Sequence, residues 1–229
     1  GGRPIENGVL LVRGGRIEEV GPASEVRIPA GAETIPLAGK TVIPGLIDLH
    51  FHIENDPRMA LRRLANGITS FRDPGQWNEK FVELRKMVAA DGLPGPRIFT
   101  TGPHIDGENP AYPADSVVAR DPEEARRHAE RSVKEGATAI KIYFRLPLGS
   151  AKAVIDVCRE HRVISTAHLE QLEAGELFAY GLNGVEHITS LGPSVLPQIE
   201  RERYRQAVLA DNAARSAGRY AAFADLDLD

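Results

Sequence analysis

From Pro44 onward the chain alternates short apolar runs with amphipathic stretches, a pattern that restricts it to a parallel sheet flanked by helices. Six runs read as strands: residues 43–49, 68–71, 97–100, 139–144, 163–167 and 185–188. Asp56-Pro57 signals a helix that Gly67 closes. A second helix is expected over 78–90, with Phe81, Leu84 and Val88 as its apolar stripe and Gly92 after it. Asp121-Pro122-Glu123-Glu124 opens a third, Ser150 a fourth that carries Val154, Ile155, Val157 and Cys158, and Glu173 a fifth that Gly181 ends. Residues 102–121 read as a long polar loop. Sheets of this kind carry function at the C-terminal ends of their strands.

Residues 5–43 follow a different pattern. Val9–Val12, Arg16–Val20 and Thr34–Leu37 are strand-like and are punctuated by Gly14-Gly15, Gly21-Pro22, Pro29-Ala30-Gly31 and Ala38-Gly39. This predicts a small antiparallel β unit over 1–43, ahead of an α/β domain over 44–229.

Composition narrows the function. The 229 residues carry 28 Lys and Arg against 32 Asp and Glu, a net charge of -4 with the signs interspersed. There is no basic stripe for nucleic acid and no apolar run of membrane-spanning length. Cys158 is the only cysteine, which fits a reducing compartment and an expected cytoplasmic location.

Polar residues interrupt the apolar runs at their ends. His50 and His52 close the first run two apart, so an extended backbone points both the same way. Two imidazoles on one face make half of a metal site, although exposed or hydrogen-bonded histidines would satisfy the same pattern. Lys141 lies inside the apolar run Ala139-Ile140-Lys141-Ile142, where a lysine is costly unless modified or paired with a carboxylate such as Asp73. His168 ends the fifth run, His187 the sixth, and His104 lies in the long loop after the third. His128 and His161 fall on helices and read as solvated.

These motifs resemble the amidohydrolase superfamily, and within it the imidazolonepropionase-like and prolidase-like metal-dependent hydrolases. The matching stretches are Gly45-Leu46-Ile47-Asp48-Leu49-His50-Phe51-His52, Gly67-Ile68-Thr69-Ser70-Phe71-Arg72-Asp73, Ile140-Lys141-Ile142-Tyr143, Thr166-Ala167-His168 and Val185-Glu186-His187. The resemblance implies a TIM (β/α)8 barrel, of which about six βα units are present in 44–229. It also implies that 1–43 is part of a small N-terminal β-sandwich.

The resemblance further implies two divalent metal ions, with zinc as the first choice and manganese or cobalt as alternatives. His50 and His52 would hold one metal and His168 and His187 the other. Lys141, carbamylated by carbon dioxide, would bridge them, and a bridging hydroxide would attack the scissile carbonyl. Tyr143 and His104 would contact substrate. The implied activity is hydrolysis of a carbon–nitrogen bond in a small-molecule amide, dipeptide-like or cyclic amide substrate. Ester, lactone or deaminase chemistry at the same metals, or a catalytically silent metal-binding scaffold, remain open as alternatives. A homo-oligomeric full-length protein is compatible with the resemblance. The family's metal-binding aspartate on strand eight has no counterpart here. After His187 the chain runs into a polar helix over 198–217 and the acids Asp225, Asp227 and Asp229. The expectation is therefore a fragment that stops before strands seven and eight, unstable and little active alone.

Overall fold

The computed structural model describes residues 2–53, 56, 58–82, 86 and 95–224. They divide into two units, Gly1–Pro44 and Gly45–Asp229. Pro57, Leu84, Val88, Gly92 and the acids at 225, 227 and 229 lie outside the described residues.

In the first unit, β1 (Gly8–Arg13) and β2 (Arg16–Pro22) pair antiparallel through Gly14 and Gly15, whose φ values of 57° and 73° suit a tight hairpin. The expected third strand over 34–37 does not form. That segment is irregular, and its Ile35 and Leu37 are exposed.

The second unit holds two parallel sheets. The smaller joins β3 (Leu46–Asp48), β4 (Ile68–Asp73) and β5 (Arg97–Thr100) in chain order. The larger contains β6 (His104–Asp106), β7 (Ser116–Val118), β8 (Ala139–Ile142), β9 (Ile164–Ala167) and β10 (Gly184–Val185), in the order β10-β9-β8-β6-β7. Thr138 N donates to Thr100 O at 2.9 Å, and Ile105 of β6 pairs with Ile142 of β8. The end of β5 thus meets the chain just before β8 through one hydrogen bond, while β6 pairs with the end of β8. The expected loop over 102–121 thus contains two short strands, and His104 sits on one of them.

Helices flank these strands. They are α1 (Arg58–Ala65), α2 (Pro122–Lys134), α3 (Leu148–His161), α4 (Ala174–Tyr180), α5 (Gly192–Val195), α6 (Gln198–Ala210) and α7 (Asn212–Ala224); residues 78–82 are also helical. Asp121 caps α2 by accepting from Glu124 N at 2.8 Å, and Glu124 reaches back to Arg120 N at 2.9 Å. The expected single helix over 198–217 is two. The backbone is extended at Asp211, whose side chain accepts from Ala214 N at 2.7 Å and starts α7. No helix among the described residues is long and apolar enough to cross a membrane.

Three apolar clusters hold the second unit. The largest packs Ile140, Ile142 and Ala167 of the sheet against Val154, Ile155 and Cys158 of α3 and Leu177 of α4. A second gathers Phe51, Ile53, Ala60, Phe71 and Phe81. The third joins Tyr143 and Phe144, just past β8, to Leu196 and to Tyr204 and Val208 of α6.

Candidate functional site

His50, His52, Tyr143, His168 and His187 lie just past the last ladder positions of β3, β8, β9 and β10, whereas Lys141 lies within β8 and His104 within β6. β3 ends at Asp48, but Phe51 N still donates to Arg72 O at 3.0 Å, which keeps the segment beside β4. Phe51 enters the apolar cluster with Phe71, while His50 and His52 bring their rings within 5.1 Å of each other. His168 N donates to Ile142 O, and Tyr143 N to Ile105 O, each at 2.9 Å; Glu186 N donates to Ala167 O at 2.8 Å. His187 has φ 63° and ψ 142°, a conformation that costs a non-glycine residue about 1–3 kcal/mol.

The result is a closed circuit of six rings. Centroids lie 5.1 Å apart for His52–His50, 4.4 Å for His50–His187, 4.7 Å for His187–His168 and 5.1 Å for His168–Tyr143. Tyr143 stacks on His104 at 4.2 Å, and His104–His52 at 6.1 Å closes the circuit. Lys141 is only 1% exposed, with Nζ 5.2 Å from the Tyr143 ring centroid. The structure thus brings together all seven residues that the sequence singled out.

Carboxylates orient three of the histidines. His50 Nδ1 meets Glu186 Oε2 at 2.7 Å, His168 Nε2 meets Glu170 Oε1 at 2.7 Å, and His52 Nδ1 lies 3.5 Å from Asp73 Oδ1. Among the described residues the second nitrogen of each of these rings has no hydrogen-bond partner; in His168 that atom is the buried Nδ1. Arg72 pairs with Glu186 from the other side and donates through Nε to Leu49 O at 2.9 Å. Asp73 does not pair with Lys141. It accepts from Ile53 N at 2.8 Å and from Gly75 N at 3.1 Å. Lys141 has no ion pair or hydrogen bond among the described residues.

Burial sets the charge states. It lowers Lys141 to about 8, against opposing attraction from Glu186. It also drives His104 down to about 2 and His187 to about 4, aided by neighbouring positive charge. Glu186 and Glu170 resist the same burial. Hydrogen bonding from His50 holds Glu186 at about 2, and His168 and Arg215 hold Glu170 well below the usual carboxylate range. Burial raises the Tyr143 phenol far above its ordinary value, so it stays protonated. His104, His168 and His187 are therefore held as neutral imidazoles, and Glu170 and Glu186 as ionised carboxylates.

The orienting residues Glu170, Glu186 and Arg72 were not assigned roles from sequence. Their signal was present: an acid two residues after His168, an acid directly before His187, and an arginine inside an apolar run. His128, read as solvated, is instead half-buried with Nε2 3.2 Å from Val118 O, while His161 is exposed. Among the described residues no group of three or more His, Cys, Asp or Glu side chains is gathered tightly enough to grip an ion. Lysine lies outside that count.

No family model matches the chain. Dihydroorotase from Geobacter metallireducens is 35% identical over 85 residues, 37% of this chain and 15% of that enzyme. Imidazolonepropionase from Methylobacterium nodulans is 45% identical over 49 residues, 21% of this chain and 12% of that enzyme. A solved structure from Bifidobacterium longum, assigned as a prolidase, superposes with a TM-score of 0.64 at 30% identity, over 76% of this chain and 47% of that one. A Xaa-Pro dipeptidase structure with bound methionine shares the fold at a TM-score of 0.65 and 17% identity, over 94% of this chain and 68% of that one. The chain spans about half the length of the Bifidobacterium structure and a smaller share of the two curated enzymes. Relatives of different specificity, met once through sequence and again through structure, share one larger grouping: the chain belongs to the amidohydrolase superfamily.

Proposed function

We propose that this chain is the metal-binding part of a hydrolase that cleaves a carbon–nitrogen bond in a small amide, dipeptide-like or cyclic amide substrate. The observation that carries the reading is the arrangement of His50, His52 and His168. Each is backed by a carboxylate at one ring nitrogen and, among the described residues, has no hydrogen-bond partner at the other, around a buried lysine that makes no ion pair among those residues. A histidine fixed by a carboxylate in this way is a typical metal ligand. In this reading residues 44–229 supply about six of eight units of a (β/α)8 barrel, and residues 1–43 part of a β-sandwich.

By chemical type the donors suit two divalent cations, with zinc favoured by imidazole and carboxylate-like oxygen. His50 and His52 would hold one; His168 and His187 would hold the other. When bound, such cations supply Lewis acidity and an activated water. Lys141 would bridge them as a carbamate. Its neutral amine adds to carbon dioxide, a nitrogen–carbon bond forms, and a proton leaves the nitrogen for solvent. The product is an anion with two donor oxygens in place of an unpaired cation. Burial of Lys141 favours the neutral amine that this addition requires.

Tyr143 and His104 form the substrate-facing wall. His104 is neutral, 4% exposed, and has no hydrogen-bond partner at either ring nitrogen among the described residues. It can donate to a substrate carbonyl or accept from an amide without a change of charge. Tyr143 keeps its phenol proton and offers one donor beside it.

Metal analysis of the purified chain in bicarbonate buffer tests the reading. About two metal ions per chain are expected, together with a carbamate carbon signal after labelling with 13C-bicarbonate. That signal should vanish in Lys141→Ala. Less than one metal ion per chain (roughly half the number a two-metal site needs) would overturn the assignment. A panel of N-acyl amino acids and proline dipeptides, run on the protein as encoded in its source, then separates an amide hydrolase from a metal-binding scaffold that turns over nothing.

A further inference from the structure

We infer that Glu170, clamped by Arg215 and Arg219 of α7, is a positioning residue that fixes the tautomer of His168 and so decides which ring nitrogen faces the centre. Glu170 is 1% exposed and is the meeting point of three elements. It receives His168 Nε2 at 2.7 Å, the Tyr204 hydroxyl of α6 at 2.8 Å, and Arg215 Nε and Nη2, each at 2.5 Å; Arg219 Nη2 donates as well. Arg215 and Arg219 are four residues apart and so share one face of α7. The Arg215 guanidinium also lies 4.1 Å from the Phe144 ring centroid.

The donor inventory forces the tautomer. Guanidinium groups only donate, and an ionised carboxylate only accepts. With Glu170 held as an anion by the arginines, His168 must present a proton at Nε2. Nδ1 then carries the lone pair, and Nδ1 is the buried atom with no partner among the described residues. A buried acceptor left open is costly unless something takes it. Through this one carboxylate, α6 and α7 both reach the ring of His168.

The metal consequence rests on the reading of His168 as a ligand, whereas the tautomer belongs to the metal-free chain and is measured there. Long-range 1H–15N spectra of 15N-histidine-labelled protein, with His168 assigned by comparison with His168→Gln, should show the Nε2–H form. In Glu170→Gln the arginines claim the amide oxygen, and the amide NH2 turns toward Nε2. The proton should move to Nδ1, and Co2+ affinity should fall about tenfold or more, as when the partner behind a metal histidine is lost. Glu170→Asp keeps an acceptor-only group and should retain the Nε2–H form. A wild-type His168 in the Nδ1–H form would overturn the inference, and that readout does not depend on any variant folding. Retention of the Nε2–H form in Glu170→Gln, with Co2+ affinity within about twofold of wild type rather than the roughly tenfold loss expected for an orienting partner, would overturn it too. If wild-type chain bound no Co2+, the metal reading would fall and the spectra alone would decide the role of Glu170.

Discussion

Lys141→Met should make the metal-free chain more stable and abolish its metal uptake. The side chain is 1% exposed and makes no ion pair among the described residues, so the folded state carries a poorly compensated cation. Burial brings its pKa from 10.5 to about 8, which corresponds to about 3 kcal/mol of lost stability wherever both folded and unfolded chains are protonated. That cost is fully present below about pH 8. It is lifted as pH rises toward 10.5, because in that window the unfolded chain still binds the proton while the folded chain has released it. Methionine has similar length and no charge, so Lys141→Met should gain most at neutral pH and converge on wild type near the top of the window. Urea denaturation at several pH values, in buffer stripped of carbon dioxide and chelated of metal, measures the difference. A variant less stable than wild type at pH 7 would mean that Lys141 is compensated in a way the geometry does not show. Elemental analysis in bicarbonate supplies the opposite sign: the stabilised variant should be the one that binds no metal.

A methyl group at position 75 should cost nearly as much. Gly75 follows Asp73 in the turn after β4, and a Cβ placed there would sit 1.9 Å from His104 Nε2. His104 is not free to retreat, since it is 4% exposed and stacked on Tyr143 at 4.2 Å. The backbone of Gly75 is not left-handed, so Gly75→Ala carries a steric penalty rather than a conformational one. Overpacking of this kind costs about 1–3 kcal/mol. His104→Ala removes the obstructing ring, and the double variant should recover most of the Gly75→Ala loss. The coupling should lie within the roughly 0.5–3 kcal/mol that touching residues show. Chemical denaturation of the four proteins gives it directly. Strict additivity would show that position 75 does not touch His104.

The parallel α/β arrangement was legible because apolar runs and helix signals alternate regularly. Asp121-Pro122 opens α2 by local chemistry alone, which is why that helix begins as read. The failures are non-local. Residues 34–37 have strand composition, but among the described residues of their unit only β1 and β2 pair. Residues 104–106 and 116–118 are too short to announce themselves and become strands because the β8 edge accepts Ile105. Asp211 reads as one more polar residue in a helix until its side chain caps the next.

At the centre, the histidines and the lysine were visible because polar groups at the ends of apolar strands are conspicuous. Glu170 and Glu186 were not, because an acid beside a histidine is common and only the fold reveals which ring it faces. Arg215 and Arg219 carried no signal at all: their partner lies 45 and 49 residues earlier in the chain.

Those separations bear on how the chain is made. Synthesis proceeds from the N-terminus, so His168 and Glu170 are laid down well before Tyr204, Arg215 and Arg219, the residues that complete the carboxylate's shell. Until residue 215 has been added, Glu170 has none of its guanidinium donors, and the histidine it orients has no settled proton. Among the described residues, α7 is thus the last-made element to reach Glu170, and the carboxylate's donors gather only when that helix comes back to it.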